Sequence, residues 1–301
     1  MNTQHVSRFV FATGLLALAP SVSADFLVVD GGQLNAGSSW SNGVYPTGDA
    51  SDIIGGGRTA ILSSGVGTHN VLQIGPGANA SAGHLSITGG TLNITEPNAG
   101  STGLAIAANF GAANAPSTIT QSGGTLNILT SRFVIGSLGK ASYTISGGSL
   151  NATDVRVGGG NTSDNPEFIV EGDGVTSIAI DSLFASFGTQ VAEYDIVFNF
   201  GPTGTTPIDV AGLFGADATT ELIVDGANYT GGPGTFTLIN YGDATNTANL
   251  ELATFTATNF DGFETSFSVN DNSLTFTIVP EPASLALLAT GLASVARRSR
   301  R

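Results

Sequence analysis

Three stretches decide how this chain folds: ITGGTLNIT from Ile87, QSGGTLNIL from Gln121 and ISGGSLNAT from Ile145. Their glycine pairs, Gly89-Gly90, Gly123-Gly124 and Gly147-Gly148, lie 34 and 24 residues apart, the same offsets as Asn93–Asn127 and Asn127–Asn151. Each copy has a period of two. Thr91, Thr125 and Ser149 point one way, Leu92, Leu126 and Leu150 the other, and Asn93, Asn127 and Asn151 return to the first side. Such alternation specifies a half-buried strand. A glycine pair just before the strand is a turn, placed where φ must be positive or a neighbouring backbone comes close. Stacking the copies puts Leu on Leu and Asn on Asn. The expected fold is all-β: a right-handed parallel β-solenoid with rungs of roughly two to three dozen residues.

A second column precedes each copy: LQIG ending at Gly75, LAIA at Ala107, FVIG at Gly136 and VRVG at Gly158. A degenerate fourth copy, FIVEGDG, runs from Phe168 to Gly174. Gln121 replaces isoleucine in an otherwise apolar column, either a local irregularity or a slip of the alignment. Over Val71–Gly174 the repeats resemble the passenger-type β-helix repeats of autotransporter-like and other exported bacterial surface proteins. Upstream, SSWSNGVYPTGDASDIIGGG carries Trp40 amid turn residues and is expected to form the N-terminal cap and first rung.

After about Asp181 the glycine pairs stop and the strands lengthen, as in YDIVFNF, TELIVDG, GTFTLINY and LELATFTAT. TSFSV and SLTFTIV are joined by Asn270-Asp271-Asn272, a hairpin turn. The solenoid region is therefore placed at 25–180. An antiparallel β-rich part follows at 181–279, either a separate sandwich or the closing part of the solenoid.

The ends read differently. Met1–Ala24 has Arg8, an apolar run over Phe9–Ala19, Pro20, and small residues Val22 and Ala24 before Asp25. That is a secretory signal, which implies the Sec export machinery as a partner. The tail, Val279–Arg301, has Pro280-Glu281-Pro282, the apolar helix-forming run Ala283–Ala296, and Arg297, Arg298, Arg300 and Arg301. As a helix the run would span roughly 21 Å, short of the ~30 Å hydrocarbon core. The arginines would stay cytoplasmic. A marginal transmembrane helix of this kind suits temporary retention. With its three ordered parts, 280–301 resembles the PEP-CTERM sorting signal of exopolysaccharide-producing Gram-negative bacteria. The resemblance implies recognition by an exosortase-type membrane protease, then release or surface attachment.

Composition removes several kinds of chemistry. There is no cysteine, hence no disulfide, thiol nucleophile or Cys-type metal site. Between Asp25 and Val279 only Arg58, Arg132, Lys140 and Arg156 face 22 acidic residues, a surface that repels nucleic acid. Asp154 and Arg156 share one strand face, with Arg132 and Lys140 a rung earlier. This is the best local candidate for a polysaccharide lyase or hydrolase, against an ordinary surface ion pair. His69 and His84 read as loop histidines. Asp164, Glu167, Glu171 and Asp173 form an acidic cluster in which Ca²⁺ is the weak alternative to no cofactor at all. The Thr/Ser and Asn columns could bind a glycan or ice, but are expected to hydrogen-bond along the solenoid. The expectation is a non-enzymatic exported protein of the cell surface or matrix. Its role is structural or adhesive, beside exopolysaccharide, with a secreted polysaccharide-active enzyme as the alternative.

Overall fold

A computed structural model describes residues 25–46, 51–75, 82–98, 101–106, 116–136, 139–158, 165–185, 194–242 and 250–281. The proposed export signal lies outside these residues. So do Pro282, the apolar run after it, and Arg297, Arg298, Arg300 and Arg301.

In chain order the first ten strands are β1 (Gly32–Gln33), β2 (Ser51–Ile54), β3 (Thr59–Leu62), β4 (Val66–His69), β5 (Val71–Ile74), β6 (His84–Ile87), β7 (Thr91–Ile94), β8 (Thr102–Ile106), β9 (Ser117–Ile135) and β10 (Ala141–Val157). The remaining ten are β11 (Glu167–Glu171), β12 (Val175–Ala185), β13 (Tyr194–Asn199), β14 (Ile208–Val210), β15 (Phe214–Gly215), β16 (Thr220–Asp225), β17 (Gly234–Tyr241), β18 (Thr254–Thr258), β19 (Phe263–Asn270) and β20 (Ser273–Pro280).

Parallel pairing sorts them into three faces of a β-solenoid. The first runs β1, β3, β6, β9, β10, β11, β13, β16, β18. The second runs β4, β7, β9, β10, β12, β14, β17. The third runs β2, β5, β8, β9, β10, β12, β15. β9 and β10 are long because each bends across all three faces.

The register is the one the repeats dictate. On the second face Leu92 stacks on Leu126 and Leu126 on Leu150, all fully buried. On the third, Leu72, Leu104, Phe133 and Val155 form the column read from LQIG to VRVG. Burying each such side chain contributes about 1.5–3 kcal/mol, so columns of them carry the stability. The corner between the first two faces needs both glycines. Gly148 has φ +79°, and a Cβ on it would sit 2.2 Å from the Gly124 carbonyl oxygen; one on Gly147 would sit 2.4 Å from that of Ser122.

Gln121 is no slip of alignment. It sits between Ile87 and Ile145 in register and is buried. Its Nε2 donates to the Ser149 carbonyl at 3.0 Å, and its Oε1 accepts from the Tyr143 hydroxyl at 2.6 Å. Burial pushes the Tyr143 pKa well above the ordinary tyrosine value, so this hydroxyl stays a donor.

The fourth copy stacks as read up to a point: Phe168 lies on Tyr143 and Val170 on Ile145. At the corner, however, Val175 replaces glycine opposite Gly148 and the register shifts. The parallel winding nevertheless continues. β12 crosses the expected boundary at 180/181, and β13, β16 and β18 add further rungs. The second half is therefore the closing part of the solenoid and no separate sandwich. Among the named strands of the described residues, antiparallel pairing is limited to β17–β20 and β19–β20, with Asp271-Asn272 turning the last hairpin; an isolated antiparallel bridge, Leu27–Trp40, lies in the N-terminal cap.

Both ends are closed. Trp40 is buried under the first rungs with Leu27 and Leu34, and its Nε1 donates to the Leu34 carbonyl at 2.9 Å. At the far end Phe200 meets the rings of Phe236, Phe276, Tyr229 and Phe260 at 5.1–5.8 Å between centroids.

Candidate functional site

The outward side of the second face carries the most ordered polar array among the described residues. Period-two alternation turns Asn93, Asn127 and Asn151 out while the leucines point in. Asn127 Nδ2 donates to Asn93 Oδ1 and Asn151 Nδ2 to Asn127 Oδ1, both at 2.9 Å. The Asn column thus hydrogen-bonds along the solenoid, as expected.

The column is longer than the repeats suggested. Register continues it from Asn151 to Ala179, Asp209 and Asn240, where Asn240 Nδ2 donates to Asp209 Oδ1 at 2.7 Å. The signal for this was present in Ile208-Asp209-Val210 and Ile239-Asn240-Tyr241, where one polar residue sits between two apolar ones as in Leu-Asn-Ile. Without the glycine pair there was nothing to align them on.

Ala179, exposed, interrupts the column. At that rung a cleft of about 610 Å³ opens, lined by Asn151, Ala179, Asp181, Asp209 and Asn240 with Tyr241. A smaller hollow of about 320 Å³ lies along the same column beside Thr68, Asn93 and Asn127. Leu129, 62% exposed, borders both. The arrangement presents a row of amide and carboxylate oxygens next to apolar surface, suited to hydrogen-bonding an extended polar ligand.

The other residues singled out from sequence fall in separate places. Arg132 and Asp154 do meet, with Arg132 Nε to Asp154 Oδ2 at 3.0 Å, and Arg156 Nη2 reaches the same oxygen at 2.9 Å. The Arg156 guanidinium also lies 5.0 Å over the Phe184 ring. Lys140 precedes β10, whereas Asp154 lies near that strand's other end, so Lys140 is not part of the group.

The histidines are on strands, not loops. His84 lies in β6 and contacts Thr118 Oγ1 through Nδ1 at 2.9 Å. His69 ends β4, 1% exposed, where the next rung has Ile94. Its Nδ1 is 2.7 Å from Asp52 Oδ2 and its Nε2 3.3 Å from the Tyr45 hydroxyl. Two rings, Trp40 and Tyr45, pack on it at 5.4 and 5.3 Å. This buried group locks the N-terminal cap to the second and third faces. It was missed because its partners are distant in sequence; aligning Val66-Gly67-Thr68-His69 with Thr91-Leu92-Asn93-Ile94 would have placed His69 inside. In the acidic cluster, Asp173 accepts from Thr203, which lowers its pKa from the usual aspartate value. Asp164 lies outside the described residues. Among the described residues no three acids or histidines are grouped as a metal site would need.

The tail begins inside the fold. Pro280 closes β20 opposite Phe263, and the Glu281 N–H donates to the Gly262 carbonyl at 3.3 Å. Residues 279–301 match the PEP-CTERM protein-sorting motif. This sorting motif marks an exported protein handled by an exosortase, with a cell-surface or secreted destination in a Gram-negative bacterium. It shares Val279 and Pro280 with the last strand, so folded body and motif are joined without a linker. Among the described residues no helix is long and apolar enough to cross a membrane. No curated protein and no solved structure matches the chain.

Proposed function

We infer that the chain is a structural or adhesive protein of the cell surface or extracellular matrix, working beside exopolysaccharide without turning it over. The supporting observation is the junction of two features: a sorting motif that starts within the last strand, and a solenoid body with an outward column of amides and a carboxylate, interrupted at Ala179. Met1–Ala24 directs the precursor to the Sec machinery. The run Ala283–Ala296 holds it briefly at the inner membrane, with Arg297, Arg298, Arg300 and Arg301 on the cytoplasmic side. Exosortase then cuts near Pro280–Pro282. A ladder-stabilised body delivered to the cell surface by this step suits scaffolding and adhesion.

The second reading, a polysaccharide-active enzyme, is favoured by the meeting of Arg132, Asp154 and Arg156 on one flank. Two measurements separate these. Intact mass of the native protein is expected to show a mature species without the four terminal arginines. The processed protein, incubated with neutral and acidic polysaccharides, is expected to sediment with some of them and to produce no reducing ends or unsaturated products. Turnover lost in Arg156→Ala would overturn the leading reading in favour of the enzyme. A native species still ending at Arg301 would overturn the processing step.

A further inference from the structure

The geometry points to the cleft at the interrupted rung as a binding site for a neutral glycan, held between Asn151 on one side of Ala179 and Asp209 on the other. The proposal rests on the adhesive reading above and names the ligand class and the residues.

The amide ladder is polarised. Each Nδ2 donates toward the preceding rung, so Asn151, the last member, has its Oδ1 directed at the next rung with nothing there to donate to it. That next position is Ala179, whose methyl group carries no hydrogen-bonding atom. One rung further Asp209 resumes the column. Its Oδ1 already accepts from Asn240, which fixes the carboxylate and leaves Oδ2 for another donor. Asp181, two residues along from Ala179, lines the same cleft. The site therefore shows acceptors to its ligand from both sides of a one-rung gap, and the ligand must bring donors.

The width of the gap selects among donors. Rungs are about 4.8 Å apart, so the backbones of Asn151 and Asp209 lie about 9.6 Å apart along the solenoid. Oxygen ligands lie 2.3–2.6 Å from a calcium ion, so a single ion reaches across only ~5 Å and cannot touch both. An ammonium group bridging by two hydrogen bonds of about 2.8 Å also falls short. A sugar carries hydroxyls around a rigid ring and along its chain, so it can donate to both rungs at once where a single ion or ammonium cannot. The cleft volume of about 610 Å³ accommodates more than one ring.

Charge selects further. Asp181 and Asp209 face the cleft, and the chain has no basic residue from Val157 to Ala296. A uronic-acid or sulfated chain is repelled, whereas neutral hydroxyls donate to the carboxylate and the amide oxygen. Exposed Leu129 at the rim offers an apolar surface to the C–H face of a ring.

The test uses the full-length chain in detergent, with binding to an array of neutral and acidic oligosaccharides followed by titration calorimetry on the best neutral binder. Two variants carry it. Asp209→Ala removes the fixed carboxylate and is expected to weaken binding about ten-fold or more. Ala179→Asn fills the gap with the residue the ladder lacks. It is expected to abolish binding while leaving the melting temperature equal or higher, so loss of affinity cannot be laid to unfolding. Binding unchanged in both variants would overturn the site yet leave the adhesive reading standing, with glycan held elsewhere. A wild-type chain that binds no glycan would overturn both. Preference for acidic glycans, or calcium alone titrating into the wild type and lost in Asp209→Ala, would overturn the ligand class.

Discussion

The two halves of the solenoid solve the same problem by different means. Between Ile87 and Ala152 neighbouring rungs are near-copies of one another. The inward columns there are largely aliphatic, with Phe133, Tyr143 and, a rung further, Phe168 among them, the corners are glycine pairs, and the outward amides bond to their own copies. Beyond that span the copies diverge. The inward positions become Phe198, Phe200 and Phe276, and the winding ends under an antiparallel hairpin that covers the last rungs. Repetition gives register cheaply, because an apolar side chain stacked on its own kind fits wherever the backbone repeats. A terminus has no next copy to stack on. It must fill a space of its own shape with large rings and hide its strand edge.

The largest expected effect lies in the repetitive half. Leu126 is fully buried between Leu92 and Leu150, so Leu126→Asp places an unpaired carboxylate in the column and should cost several kcal/mol. Loss of cooperative unfolding in urea is the expected result; a variant as stable as the parent would refute the stacking. Phe200→Ala comes next, at about 3–5 kcal/mol for removing a ring that touches four others. The comparison predicts a difference in kind as well. Hydrogen exchange should show Phe200→Ala fraying β17–β20 while β6–β10 stays protected, since only neighbouring rungs are coupled. Leu126→Asp should open both sides of the break.

The halves also differ in how far their sequences disclose them. The glycine corners, leucine columns and asparagine ladder recur as near-identical strings, so register could be read by superposing them. The closing half keeps the alternation but changes the residue at each rung. Asn151, Ala179, Asp209 and Asn240 occupy one column with three residue types among them. Alternation alone fixes which side a residue faces, not which residue it stacks on. The buried Asp52–His69 pair was hidden for another reason. Its burial depends on Trp40 and Tyr45 folding over the first rung, a contact between segments with no shared pattern.

Gln121 tests whether repetition or local bonding governs the first half. Gln121→Ile restores the apolar column of Ile87 and Ile145, yet it strands the Tyr143 hydroxyl among Phe133 and Phe168. The lost acceptor should outweigh the better column, for a net cost of about 1–3 kcal/mol. Pairing it with Tyr143→Phe removes donor and acceptor together and should recover most of that loss. Additive effects in this double-mutant cycle would show that the hydrogen bond has no energetic part in the column.

The smallest effect concerns acid, and it sits in the closing half. Burial opposes ionisation of Asp217, but donors from Thr219 and the Tyr194 hydroxyl outweigh it and hold its carboxyl below the usual aspartate value. Burial, then the bond to Asp217, pushes the Tyr194 hydroxyl upward, so it remains a protonated donor at any moderate pH. A depressed carboxylate favours the fold while it is ionised. Its contribution is therefore complete above the ordinary aspartate pKa and fades as pH falls below it. Asp217→Asn cannot titrate, so its urea midpoint should fall less steeply than the parent's between about pH 5 and pH 2. Tyr194→Phe removes one donor and should give an intermediate slope. Both differences should vanish at neutral pH apart from a constant offset, and exchange measured at pH 3 should place the acid-sensitive opening in β13 and β16. Parallel slopes for parent and Asp217→Asn would mean that the carboxylate is no better held in the fold than in the unfolded chain.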